Sequence, residues 1–205
     1  MIKNLFELII SKFKRYSHDQ SIDRIEFHSR IPIRVGKHTY GTKWMNVLVW
    51  SNHENAKIEI GRYCSISFNL RLFFGGNHNY DWITTYPFGH TDSTKNDFQP
   101  IKGHPKKVSS IIIGNDVWIG RDVTIMDGVK ISDGTIIAAN SHVVKSTEPY
   151  SIIGGNPAKL IKKRFSDETI EELMIIKWWD WSDEKIKKNY KNLCTSPHNF
   201  KFKNE

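Results

Sequence analysis

Over residues 113–148 branched aliphatic side chains recur every sixth residue, at Ile113, Ile119, Ile125, Ile131, Ile137 and Val143. The fifth position of each hexad is small or β-branched (Val117, Val123, Val129, Thr135, Ser141, Thr147). The fourth is a turn former (Asp116, Asp122, Gly128, Gly134, Asn140, Ser146). Two inward positions per hexad, separated by residues that tolerate positive φ, predict short parallel strands bending at every repeat: an all-β solenoid. An amphipathic helix needs apolar positions spaced near 3.6, and this stretch does not have them.

The template extends upstream. Residues 35–40 read as one hexad and 60–65 as another, with Ile66 and Leu72 continuing the series. Cys64 falls in the fifth, inward slot, so it reads as core filler and not as a nucleophile. Residues 44–50 form an apolar, aromatic run, expected to be an irregular strand or a subunit contact. Residues 1–16 instead place Ile2, Leu5, Phe6, Ile9, Ile10 and Phe13 at helical spacing beside Lys3, Lys12, Lys14 and Arg15. That pattern predicts a basic amphipathic helix packed on the protein or a neighbouring subunit, with weak peripheral membrane contact as its other use. Past the repeats, Ser166 followed by Asp167 and Glu168 predicts a capped helix start. A second short helix is expected from Ser182, with Ile186 and Tyr190 on one face. Trp178, Trp179 and Trp181 are expected to cover the open end of the solenoid, forming a C-terminal helical cap over bare strand edges and core. The chain thus divides into a helix and linker at 1–30, the solenoid at 31–160 and a helical segment with tail at 161–205.

The period fails over residues 75–110. A connection of this length inside a compact domain is usually functional or disordered. Polar and aromatic side chains crowd around His78 within it, so the excursion is where a site is expected.

Composition narrows the function. The 205 residues carry a formal charge of +8, which permits anionic partners, but no nucleic-acid-reading motif is present and none is expected. Two cysteines, Cys64 and Cys194, have neither zinc nor redox spacing, and no apolar run approaches the ~20 residues of a spanning helix. A cytoplasmic location is the expectation. Histidine pairs spaced for a zinc site between subunits are missing, so no metal is required.

The segments GNDVWIG (114–120), MDGVKISDG (126–134), GGNPAK (154–159) and NHNYDWITTYPF (77–88) resemble the hexapeptide-repeat acyltransferases. The similarity is strongest to the xenobiotic acetyltransferases, the type B chloramphenicol and streptogramin enzymes, and to the O-acetyltransferases of surface polysaccharides. It implies a left-handed parallel β-helix, although β crossovers in general are right-handed. It also implies a homotrimer with sites between subunits, and acetyl-CoA as co-substrate. On the resemblance, His78 is the catalytic base, and Arg121, Ala139, Lys145, Lys159 and Lys162 contact the cofactor. Tyr40 matches a stretch bearing an acceptor-contacting tyrosine, and Trp82, Tyr86 and Asp81 join it as acceptor candidates.

Acetyl transfer from a thioester to an alcohol needs a base for the hydroxyl proton, a task suited to imidazole near neutral pH. Asp81 or a backbone carbonyl is expected to hold the other ring nitrogen, and backbone N–H groups of the turns are the expected oxyanion donors. The expected reaction is direct O-acetylation without an acyl-enzyme. A sugar of a surface polysaccharide or its precursor is the favoured acceptor, because the basic amino-terminal helix suits work near a membrane. An antibiotic hydroxyl is the alternative, and an inactive trimeric scaffold is the third reading.

Overall fold

A computed structural model describes residues 24–28, 31–50, 55–91, 95–104 and 107–197. The helix expected at 1–16 lies outside these residues. Strand β1 (Arg24–His28) precedes four coils. The first coil carries β2 (Ile31–Val35) and, after a 3₁₀ turn at Thr42–Trp44, β3 (Met45–Val49). The second carries β4 (Ile58–Ile60), β5 (Ser65–Ile66) and β6 (Leu70–Phe74). The third has β7 (Ile111–Ile113), β8 (Trp118–Ile119) and β9 (Thr124–Met126); the fourth has β10 (Lys130–Ile131), β11 (Ile136–Ile137) and β12 (His142–Val143). A final β13 (Ser151–Gly155) pairs antiparallel with β14 (Ala158–Lys163).

Stacking the coils builds three parallel faces: β2-β4-β7-β10, then β5-β8-β11-β13, then β3-β6-β9-β12. Register follows the hexads. Ile113 sits on Ile131, Ile119 on Ile137 and Ile125 on Val143, so three hexads make one coil. All six of these aliphatics are buried, as are Val117, Val123, Val129, Thr135 and Ser141 at the fifth positions. The turn formers behave as their chemistry requires: Asp116, Asp122, Gly128, Gly134 and Asn140 have positive φ. His38, Tyr63 and Asn69 occupy equivalent corners upstream with the same sign.

Close stacking leaves no room at some corners. A Cβ placed on Gly61 would lie 2.5 Å from the Gly114 carbonyl oxygen, a backbone atom that cannot swing away. Cys64 is fully buried nearby, and its thiol donates to the Gly114 carbonyl at 3.1 Å. Burial pushes that thiol up from 9.0 to about 12, so it stays protonated and unreactive. Brief iodoacetamide treatment of the native protein near pH 8 is expected to alkylate exposed Cys194 and spare Cys64. Peptide mass mapping reads the outcome, and modification of Cys64 at the rate of Cys194 would contradict its place in the core.

One edge of the first face is closed by an antiparallel strand, β1 against β2, and one edge of the second by β14 against β13. Helices α1 (Asp167–Ile176) and α2 (Asp183–Leu193) begin at their expected caps, Ser166 and Ser182. Their segment packs on the corner between the first and second faces. Arg164 reaches Asp116 at 3.2 Å and the Gly134 carbonyl at 2.7 Å, Trp178 packs on Tyr63, and Asp183 meets His38 at 3.2 Å. Buried Trp179 and Ile170 form a small second core with Tyr150. The corner residues Tyr63 and Tyr150 offered aromatic side chains to pack against.

Candidate active site

Both interruptions of the coil leave at one corner, between the third and first faces: 50–57 after β3 and 75–110 after β6. The chain leaves β6 at Phe74 and re-enters at Ile111, which pairs with Ile58 as though nothing had intervened. At the loop's base Trp50 stacks on Phe73 with centroids 4.2 Å apart, and Gly76 lies against the Trp50 side chain. Further out the loop crosses itself. Gly89 has φ 77°, and a Cβ there would meet the Gln99 carbonyl carbon at 2.6 Å, so only glycine allows the crossing. The rings of Tyr86, Phe88 and Phe98 pack in sequence, 4.8 and 4.9 Å apart, and the Trp82 ring packs against Gly103.

His78 stands exposed on this scaffold. Its Nδ1 lies 2.6 Å from the Thr85 carbonyl oxygen. A carbonyl only accepts, so Nδ1 carries the proton, and Nε2 is left with its lone pair facing outward chemistry. The backbone carbonyl thus holds the second nitrogen, the task for which Asp81 was the other candidate; the Asp81 amide instead donates to the Asn79 side-chain oxygen at 3.2 Å. His78 is not the loop's sole histidine of interest. His104 meets its ring edge to face at 4.8 Å, and His90 meets His104 at 5.1 Å. Burial, together with His78 and His90, lowers the pKa of His104 from its ordinary 6.5. The sequence signal for these two was available, since both lie in the one aperiodic stretch; only the fold places them on His78.

The remaining candidates occupy other corners. Arg121 and Ala139 lie between the second and third faces, where the Asn140 amide donates to the Arg121 carbonyl at 2.9 Å. Lys159, on β14, pairs with Gly154, which in turn packs close to Ala138. Lys162 pairs with Ile152 further along the same strand. These four share a neighbourhood, whereas exposed Lys145 follows β12 at the corner from which the loop emerges. Tyr40 is half exposed at the start of the second face, bridged to Ser65. Among the described residues no group of three or more His, Cys, Asp or Glu side chains is arranged to hold a metal ion. No helix among them is long and apolar enough to cross a membrane.

The six-repeat model of the bacterial transferase hexapeptide matches residues 110–145, the stretch with the strict period. A Lysinibacillus sphaericus protein named "Probable macrolide acetyltransferase" is 54% identical over 141 residues, covering 68% of this chain and 78% of that one. The chain belongs to the hexapeptide-repeat acetyltransferases. A chloramphenicol acetyltransferase from Klebsiella aerogenes is 44% identical over 142 residues, covering 68% of this chain and 67% of its own. Among solved structures, a hexapeptide-repeat acetyltransferase from Vibrio cholerae aligns with a TM-score of 0.47 at 26% identity, over 65% of this chain and 64% of the other. Membership makes the coil a left-handed β-helix and the protein an acyltransferase.

Proposed function

We propose that this acetyltransferase moves the acetyl group of acetyl-CoA to a hydroxyl of an antibiotic-like xenobiotic, with His78 as general base. The observation that carries the reading is the His78 ring: Nδ1 is committed to the Thr85 carbonyl, which leaves Nε2 free to take a proton. As the acceptor oxygen bonds to the acetyl carbon, Nε2 removes the hydroxyl proton. The carbon–sulfur bond then breaks, and the proton passes from Nε2 to the departing thiolate, so no acyl-enzyme forms. The glycan acceptor loses its place as the leading choice. It rested on the amino-terminal helix, whereas the two relatives described above are named for macrolide and chloramphenicol acetylation.

Acetyl-CoA brings a narrow arm and several phosphates. The corner bearing Ala139, with Arg121, Lys159 and Lys162 nearby, offers a small residue where the arm passes and cations for the phosphates. This corner and the His78 loop sit on different edges of the prism, so a trimer with sites between chains brings one chain's loop to its neighbour's corner. Trp82, Tyr86, Asp81 and Tyr40 are assigned to the acceptor side, and Lys145 to the edge of the cofactor groove.

Replacing Lys159 and Lys162 together with alanine is expected to raise KM for acetyl-CoA about tenfold, with KM for acceptor changed less than about twofold, since the two exposed charge contacts together contribute ~1.4 kcal/mol. Initial-rate kinetics with each substrate varied in turn checks it. Equal effects on both constants would remove the two lysines from the cofactor site.

A further inference from the structure

The strongest feature left unassigned is the row of three imidazoles in the excursion loop. Resting on the reading of His78 as base, we propose that His104 is a positioning residue for His78: its ring is the wall that fixes the His78 imidazole, and His90 holds that wall in place.

The single hydrogen bond from Nδ1 to Thr85 leaves the His78 ring able to pivot about the bond's axis. The His104 ring, 82° from coplanar and 4.8 Å away, blocks that motion from one side. His104 is itself backed by His90 at 5.1 Å, and the His90 Nε2 donates to the Ile101 carbonyl at 3.3 Å, which ties the row to the strand of loop bearing His104. Trp82 packs against Gly103, so the neighbouring position is enclosed by an apolar ring.

Charge decides how such a wall can work. The ionisable groups that act on His104 are His78 and His90, and Lys102 lies two residues before it in the chain. Burial disfavours a charge on His104 first, and the two imidazoles add to it. Together they lower the His104 pKa, which favours its neutral form. A neutral ring next to His78 tolerates the positive charge that the base acquires as it takes the hydroxyl proton; a protonated one would oppose it. The order of the three rings thus matters, because the middle ring touches both of the others.

The test uses the full-length protein with acetyl-CoA and an accepted hydroxyl substrate. His104→Ala is expected to lower kcat about tenfold, a loss typical of a misplaced catalytic group, with KM for acetyl-CoA unchanged. His104→Phe, which keeps an aromatic face and cannot titrate, is expected to return kcat to within about threefold of wild type. His104→Lys, a fixed cation, is expected to fall below the alanine variant and to alter the acidic limb of the pH–rate profile. NMR titration of the imidazole rings, which does not depend on turnover, is expected to show His104 titrating below an ordinary histidine and moving upward in His90→Gln. Wild-type kcat and pH profile in His104→Ala, or a phenylalanine variant as impaired as the alanine one, would overturn the proposal. Full activity in a parallel His78→Ala sample would instead overturn the base assignment beneath it.

Discussion

His78→Ala loses at least a hundredfold in kcat for acetyl transfer, while KM for acetyl-CoA stays within about threefold of wild type. The size follows from the role. General-base catalysis contributes ~10²–10⁴ in rate, equivalent to ~3–5 kcal/mol of barrier. The ring is exposed on the loop, and the Thr85 carbonyl holds it through Nδ1, so its removal empties a loop position without opening the solenoid core. Thermal unfolding of the variant should therefore match wild type. The measurement is acceptor-dependent release of free thiol from acetyl-CoA. Unchanged turnover would sink the base assignment, and a lower unfolding midpoint would move the effect from chemistry to stability.

Ile125→Asp abolishes the folded protein. Ile125 is fully buried on the third face, stacked between Leu72 of the coil before and Val143 of the coil after. A carboxylate there has no partner and no water. The cost of several kcal/mol is a large part of the ~5–15 kcal/mol that stabilises an ordinary domain. Soluble yield, size-exclusion elution and far-UV circular dichroism read the result. A variant that is soluble, compact and rich in β structure would contradict the inward assignment of the first hexad position. Thr147→Asp provides the contrast: its side chain is half-buried at the last turn, and it is expected to leave the fold intact.

These two residues also show how much was legible in the sequence. A period of six writes the solenoid into the chain, because every coil must supply the same inward aliphatic and the same tolerant corner; Ile125 can be placed on sight. His78 was legible for the opposite reason, as a motif in the stretch where the period stops. What surrounds it was not. Nothing local says that Thr85 holds its Nδ1, or that His104, 26 positions on, meets its ring, since both depend on how an aperiodic loop crosses itself at Gly89. The starts of the carboxyl-terminal helices were legible at Ser166 and Ser182, but what their segment packs on was not. Their partners, Tyr63, Asp116, Tyr150 and His38, are corner residues from separate coils that only the stacked fold aligns. The acceptor was the least legible of all, because hydroxyl recognition rests on exposed loop side chains with no periodic constraint.

One measurement tests the central claim most directly: thiol release from acetyl-CoA by the wild-type protein, followed with chloramphenicol, with a macrolide, with a panel of hexose and amino-sugar derivatives, and with no acceptor. The expected result is release that requires an acceptor, is fastest with an antibiotic, and is matched mole for mole by O-acetylated product. Release that proceeds equally without acceptor, or only with the sugars, would contradict the account.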